Sequence, residues 1–236
     1  MTKISIAGLN VELDNRYGFI EKLARDYTAE FSEADIVSSA TDEEIERERK
    51  NSEYNFENGY LESIVIYRNI AEKLPLFDAA VFHGAVIAYE GRAYAVTARS
   101  GVGKTTHLRL WLEAFGDKVH ILNGDKPILR IIDGVPYACG TPWRGKEGYG
   151  INEMLPLSGI GFIERDAENF SRRISPDEGV LKFASQLYVP KNPRCAHLAL
   201  NLAGRILSRV PLTELRVNME LDAAHMAMAA FTRTVI

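Results

Sequence analysis

Apolar and polar residues alternate from the first positions of the chain. Ile4 and Ile6, then Leu9, Val11 and Leu13 face one way, with one slip in phase near Gly8. A period of two predicts a strand, or a hairpin with a bulge at the glycine. The period then changes: Ile20, Leu23, Ala24 and Tyr27 recur at helical spacing between Phe19 and Tyr27. Ala34 to Ser38 predicts a short strand. Thr41 to Asn51 is dense in charge, which marks a solvated face or an exposed loop. Leu61 to Leu74 predicts an amphipathic helix closed by Pro75.

The apolar runs Ala79 to Tyr89 and Arg92 to Thr97 flank Glu90-Gly91, a hairpin turn between two antiparallel strands. Leu108, Trp111, Leu112 and Phe115 then repeat at helical spacing up to Gly116. Val119 to Asp125 is an apolar strand ending in an acid. Ile128 to Ile132 and Val135 to Cys139 predict a second hairpin, turning at Asp133-Gly134. Further on come a strand over Leu155 to Glu164, a helix from Ser175 to Leu187, a helix over Leu198 to Leu207, a strand over Leu212 to Val217 and a helix over Asp222 to Phe231. The Ser175 helix has Pro176 at its first position and Asp177 and Glu178 in its first turn, as a helix start prefers. The expected fold class is α/β (α+β). Its sheet should be mixed, because a hairpin rather than a crossover helix feeds the strand before Ala98. The expected division is an N-terminal α/β region, 1–78, packed on a core of residues 79–236.

Composition narrows the function classes. The 236 residues are 46% hydrophobic and 25% charged, which suits a folded core. A formal net charge of −4 gives no general attraction to nucleic acid. No apolar run is long enough to span a membrane, and the opening residues lack a signal-peptide core. Cys139 and Cys195 are too few for a disulfide framework or a zinc site, so the expectation is reduced thiols in the cytoplasm.

The chemistry gathers at Ala98-Arg99-Ser100-Gly101-Val102-Gly103-Lys104-Thr105-Thr106, a glycine loop between a strand and a helix. That context and the G-x-x-x-x-G-K-[ST] spacing make a phosphate-binding loop, with Ala98 in place of the first glycine. Backbone N–H groups of Ser100, Gly101, Val102, Gly103, Lys104, Thr105 and Thr106 are expected to cradle a nucleotide's phosphates. Lys104 should reach the β- and γ-phosphates, and the Thr105 hydroxyl should hold Mg²⁺. Such a metal needs an acid, and Asp125 at the end of the next apolar strand is the candidate. Alanine fits the first position only if its φ stays negative. His83, beside Gly84 on the preceding strand, is a candidate for contact with the phosphates. Arg144 and Lys146, in the glycine-rich loop Gly140 to Gly150 with Trp143 and Tyr149, are candidates to close over an anionic substrate. His107 is read as a surface residue in the first turn of the helix.

His83-Gly84, Ser100 to Thr105 and Asp125 occur in an order that resembles the kinase domain of HPr kinase/phosphorylase and its relative phosphoenolpyruvate carboxykinase. The resemblance covers about Ala79 to Gly150. The segment Gly140 to Lys146 is similar to one in an uncharacterised bacterial branch of that superfamily. The resemblance implies a kinase that moves a γ-phosphate from ATP or GTP to a hydroxyl with Mg²⁺. The acceptor would be a serine of a peptide or protein, or a small alcohol. It implies catalytic roles for Asp125, His83 and Lys104, with Thr105 and Asp125 on the metal. HPr kinase carries two adjacent aspartates at this strand end, and Gly124 stands where the first would be. The alternative expectation is therefore a nucleotide-binding sensor or assembly module of weak or no activity. A homo-oligomer is compatible with either reading.

Overall fold

A computed structural model of the chain describes residues 1–99 and 101–233. The N-terminal strands β1 (Thr2–Ile6) and β2 (Leu9–Asp14) pair antiparallel in register Ile6↔Leu9, so Ala7-Gly8 is a two-residue turn rather than a bulge. Both turn residues take left-handed φ, of 52° and 70°. That is the tight turn whose twist matches a hairpin, and it restores the inward phase of Ile6 and Leu9. β3 (Ile36–Ser39) joins β2 in parallel and completes a three-stranded sheet. The helical segment after β2 is two short pieces, α1 (Phe19–Leu23) and a 3-10 turn (Arg25–Tyr27).

The charge-dense run folds as a helix, α2 (Asp42–Asn51), with only Ile45 buried. Its start is a reciprocal cap, in which the Thr41 hydroxyl accepts from the Glu44 amide and the Glu44 carboxylate accepts from the Thr41 amide. Acids fill its first turn and Arg49 and Lys50 its last, so the charges also match the helix dipole. α3 (Asn58–Ala71) carries the buried stripe Leu61, Val65, Ile66 and Ile70 across this small sheet. Pro75 lies in a 3-10 turn (Leu74–Phe77) just beyond it.

The remaining strands form one nine-stranded mixed sheet. In chain order they are β4 (Ala79–Val81), β5 (Ala85–Tyr89), β6 (Arg92–Thr97), β7 (Val119–Asn123), β8 (Ile128–Ile132), β9 (Val135–Cys139), β10 (Met154–Arg165), β11 (Phe170–Ile174) and β12 (Leu212–Val217). The order across the sheet is β4-β8-β9-β10-β6-β5-β7, with β12 on the later residues of β10 and β11 outermost. β5 and β6 pair antiparallel as the hairpin pattern predicts, while β10 runs parallel to both β6 and β12.

The run expected as one strand from Ala79 is two. Phe82 is fully buried against Phe183, with ring centroids 5.2 Å apart. A Cβ on Gly84 would lie 2.4 Å from the Phe82 ring, so the chain turns there on a glycine. β4 consequently pairs β8, whereas β5 pairs β6. β11 is a strand that the sequence pattern does not predict.

Alternation sorts the side chains onto two covered faces. Ile160 and Phe162 pack under α5 (Pro176–Ala184) and α6 (Pro193–Leu207). Ile163, Tyr94 and Val96 pack under α4 (Lys104–Phe115) and α7 (Leu221–Thr232). Gly159 and Gly161 receive the Phe231 ring, and a Cβ on either would approach it to 2.8 Å. A third cluster joins the N-terminal sheet to Val81, Ile128, Cys139 and Trp143 of the large sheet and its loop. No helix among the described residues is long and apolar enough to cross a membrane.

Candidate phosphate-binding site

β6 leads directly into the glycine loop. Because β10 and β12 run parallel to β6, the carboxyl ends of all three strands open on one edge, where α/β sheets take their ligands. Ala98 does not take a left-handed φ, so its methyl is accommodated. Gly101 and Gly103 do, at 79° and 115°, where other residues would be strained. α4 starts at Lys104 with no side chain capping it, and its first internal bond runs from the His107 amide to the Gly103 carbonyl, at 2.9 Å. The leading amides of α4 are therefore not taken up by a cap. The Thr105 hydroxyl has no hydrogen-bond partner among the described residues. Ser100, expected in the cradle, lies outside the described residues.

The acid is brought to the loop by a buried amide. Asn123, at 0% exposure, ends β7. Its Oδ1 accepts from the backbone N–H of Asp125 at 2.9 Å and of Lys126 at 2.8 Å. Its Nδ2 donates to the Thr141 carbonyl at 3.1 Å and to the Thr141 hydroxyl at 3.0 Å. The turn so formed aims Asp125 at the loop. Further bonds lock the neighbourhood: the Gly84 amide donates to the Asp125 carbonyl at 3.0 Å, and the Thr97 hydroxyl to the His83 carbonyl at 2.9 Å.

Around the Asp125 carboxylate stand three nitrogen groups. Lys104 Nζ is 3.7 Å and His83 Nε2 3.5 Å from Oδ1, and Lys126 Nζ is 2.5 Å from Oδ2. Burial alone would raise the Asp125 carboxyl. The His83 hydrogen bond and the charges of Lys126 and Lys104 outweigh it and hold the group well below the usual carboxylate range. Burial pushes the Lys104 ammonium below its ordinary value, and Asp125 counters that only in part. One acid thus serves two lysines and an imidazole, and the site carries surplus positive charge.

The segment after Thr141 lies over this tip. Gly145 takes φ 74°, and a Cβ there would sit 2.9 Å from the Asp125 Cβ. Gly124 donates its amide to the Tyr149 carbonyl at 3.0 Å, and a Cβ at 124 would meet the Arg144 carbonyl at 3.1 Å. Glu147 pairs with Arg109 on α4 at 2.7 Å, so the loop is tied to the helix that follows the glycine loop. Its root is fixed rather than free. Trp143 is 8% exposed, stacks on Tyr67 of α3 at 4.0 Å and donates its indole N–H to the Ser63 carbonyl at 3.0 Å.

The predicted residues do not all converge. Lys104, Asp125 and His83 meet within ion-pair distance. Arg144 is turned back, donating to the Gly150 carbonyl at 3.2 Å and lying 3.9 Å from Asp26 of the N-terminal region. Lys146 is exposed at the loop's tip, with no ion pair among the described residues. His107, expected at the surface, is buried. Its Nε2 accepts from the Trp111 indole at 2.9 Å and its Nδ1 has no partner. α4 lies flat on the sheet, so the side chain three positions after Lys104 falls on its inner face. Two residues that shape the site had no role assigned from the sequence, although Asn-Gly-Asp reads there as turn chemistry. Asn123 could have been found from its place two residues before an acid, where Asn turns the backbone. Arg165, at the end of β10, has its Nη2 3.8 Å from where a Cβ on Gly103 would stand. Only sheet register brings it there.

Among the described residues no group of three or more His, Cys, Asp or Glu side chains could hold a metal ion alone. Mg²⁺ shared with a nucleotide's phosphates would need only one or two protein oxygens from this chain. Thr105 and Asp125 are the residues that would hold it.

No protein-family model and no curated protein matches this chain. Among solved structures it is similar to the Hpr(Ser) kinase/phosphatase from Coxiella burnetii, over 64% of this chain and 87% of that one, at 8% identity and a TM-score of 0.39. A likeness so distant transfers neither activity nor substrate. The chain's own architecture is a mixed α/β sheet flanked by helices.

Proposed function

We propose that this protein is a nucleotide-dependent phosphotransferase, moving the γ-phosphate of ATP or GTP to a hydroxyl on a small alcohol or on a serine of a peptide or protein. The observation that carries the reading is the surplus of positive charge at the loop: Lys104 and Lys126 around the single carboxylate of Asp125, beside uncapped helix amides. Such an arrangement is completed by a polyanion. In transfer, the bond from the acceptor oxygen to the γ-phosphorus forms and the bond from that phosphorus to the β,γ-bridging oxygen breaks, leaving the nucleoside diphosphate. Lys104 neutralises charge on the transferred group. Mg²⁺, when bound, supplies further neutralisation of the phosphate oxygens.

The hydroxyl proton needs an acceptor, and Gly124 supplies no second carboxylate; a Cβ there would press on the Arg144 carbonyl at 3.1 Å. His83 takes that role, receiving the proton on Nδ1 while Nε2 faces Asp125. The closed surroundings of Gly124 also favour a second reading, a nucleotide-binding module without transfer. The test is labelled γ-phosphate with Mg²⁺ and a panel of alcohols and serine peptides, with nucleotide affinity measured in parallel. The expected result is Mg²⁺-dependent transfer. Asp125→Asn should reduce turnover at least about a hundredfold, the scale of losing a positioned electrostatic group, while affinity falls less. Binding with no turnover on any acceptor, water included, selects the module. Absence of nucleotide binding overturns both readings.

A further inference from the structure

We propose that Arg165 is a second phosphate-binding cation of this site, delivered by the strand next to the phosphate loop. The inference rests on the nucleotide reading above and adds a residue that the loop motif does not contain. Phe162 of β10 is in register with Thr97 of β6, so the last three residues of β10 run alongside the start of the loop. Alternation sends Phe162 and Glu164 to the α5 side of the sheet and Ile163 and Arg165 to the α4 side. There the Arg165 Nη2 lies 3.8 Å from where a Cβ on Gly103, the residue that opens α4, would stand.

Arg165 is solvent-exposed there, with further positive charge beside it. The start of a helix bears a partial positive charge, and Lys104 adds a whole one. No acid offsets Arg165 among the described residues. Glu164 faces the other way and takes Lys182 at 2.7 Å, and the Asp166 carboxylate accepts from the Ala167 amide in its own turn at 2.7 Å. Lys104 itself is directed to Asp125. A guanidinium facing a helix start with no carboxylate is placed to complete an anion site. Its planar fork suits phosphate oxygens.

The test compares wild type, Arg165→Gln and Arg165→Lys as full-length protein. Affinities are measured for Mg²⁺–ATP, Mg²⁺–ADP and adenosine, and melting temperatures without nucleotide. Arg165→Gln should weaken ATP and ADP by roughly ten- to a hundredfold, the scale of a lost charge-assisted contact. Adenosine should be unaffected, and lysine should restore part of the loss. The nucleotide-free variant should melt close to the wild-type temperature, because Arg165 is exposed and makes no ion pair among the described residues. Unchanged ATP affinity overturns the role of Arg165 and leaves the loop reading standing. So does a loss shared equally with adenosine, or a lowered melting temperature. If the wild type binds no nucleotide at all, the parent reading fails and this one with it.

Discussion

Asn123 carries no charge and is fully buried, yet its amide shapes the site. Its amide oxygen takes two consecutive backbone N–H groups and its nitrogen holds the chain at Thr141, so one side chain joins the acidic tip to the overlying loop. Asn123→Ala removes the amide without adding bulk and leaves the Asp125 and Lys126 N–H groups without their acceptor. Each buried orphan costs about 1–3 kcal/mol, so the expected loss is about 2–5 kcal/mol in urea unfolding, with an unchanged slope. A change under 0.5 kcal/mol would show that the turn does not depend on this amide. At the same scale, the meeting of Lys104 with Asp125 was legible, because the glycine-loop spacing and the acid-ended strand both point to one sheet edge. Arg165 was not, because nothing in its own neighbourhood distinguishes it. Only the pairing of β10 with β6, residues far apart in sequence, puts it beside Gly103.

Among the elements, α4 carries a built-in sensitivity to acid. Burial pushes His107 down to about 4 from an ordinary value of 6.5, and among the described residues only the Trp111 indole hydrogen-bonds its ring. The unfolded chain binds this proton first as pH falls, so stability is intact above the ordinary histidine value. It declines as pH drops toward 4. A shift of this size corresponds to about 3 kcal/mol at its fullest. His107→Gln keeps an acceptor for the indole and has no proton to take up. Its unfolding free energy should therefore fall less than that of the wild type between pH 6.5 and 4, as followed by urea titration at several pH values. Parallel pH profiles for the two proteins would remove histidine as the cause. The helix itself was plain from Leu108, Trp111 and Phe115, and so was the β5–β6 hairpin. The elements that were misread have physical reasons. β11, Phe170-Ser-Arg-Arg-Ile, lies at the sheet edge and exposes Arg172 and Arg173 to pair with β12 residues, so it lacks a clean alternation. The break between β4 and β5 depends on how the Phe82 ring packs over Gly84, a contact no periodicity encodes.

Across the whole molecule, the N-terminal sheet and the site share a joint. Trp143 stacks on Tyr67 and bonds to the Ser63 carbonyl, while the Tyr67 hydroxyl donates to the Lys126 carbonyl at 2.8 Å. α3 thereby grips both the root of the overlying loop and the residue after the acid. We propose on this basis that the division near residue 78 is topological, and that the two regions unfold together. The chain has two tryptophans, and Trp111 lies in the β6–α4 core, far from the joint in sequence. Trp143→Ala therefore leaves Trp111 as the sole indole reporter of the phosphate-loop side. The truncation should lower stability by about 3–5 kcal/mol, as removing a buried aromatic does. Trp111 fluorescence and far-ultraviolet circular dichroism should shift together to one lower midpoint. A Trp111 transition that stays at the wild-type midpoint while an earlier phase appears in the dichroism would mean that residues 1–78 unfold on their own. The grip of α3 on Lys126 and Trp143 would then have no bearing on how the acid is held.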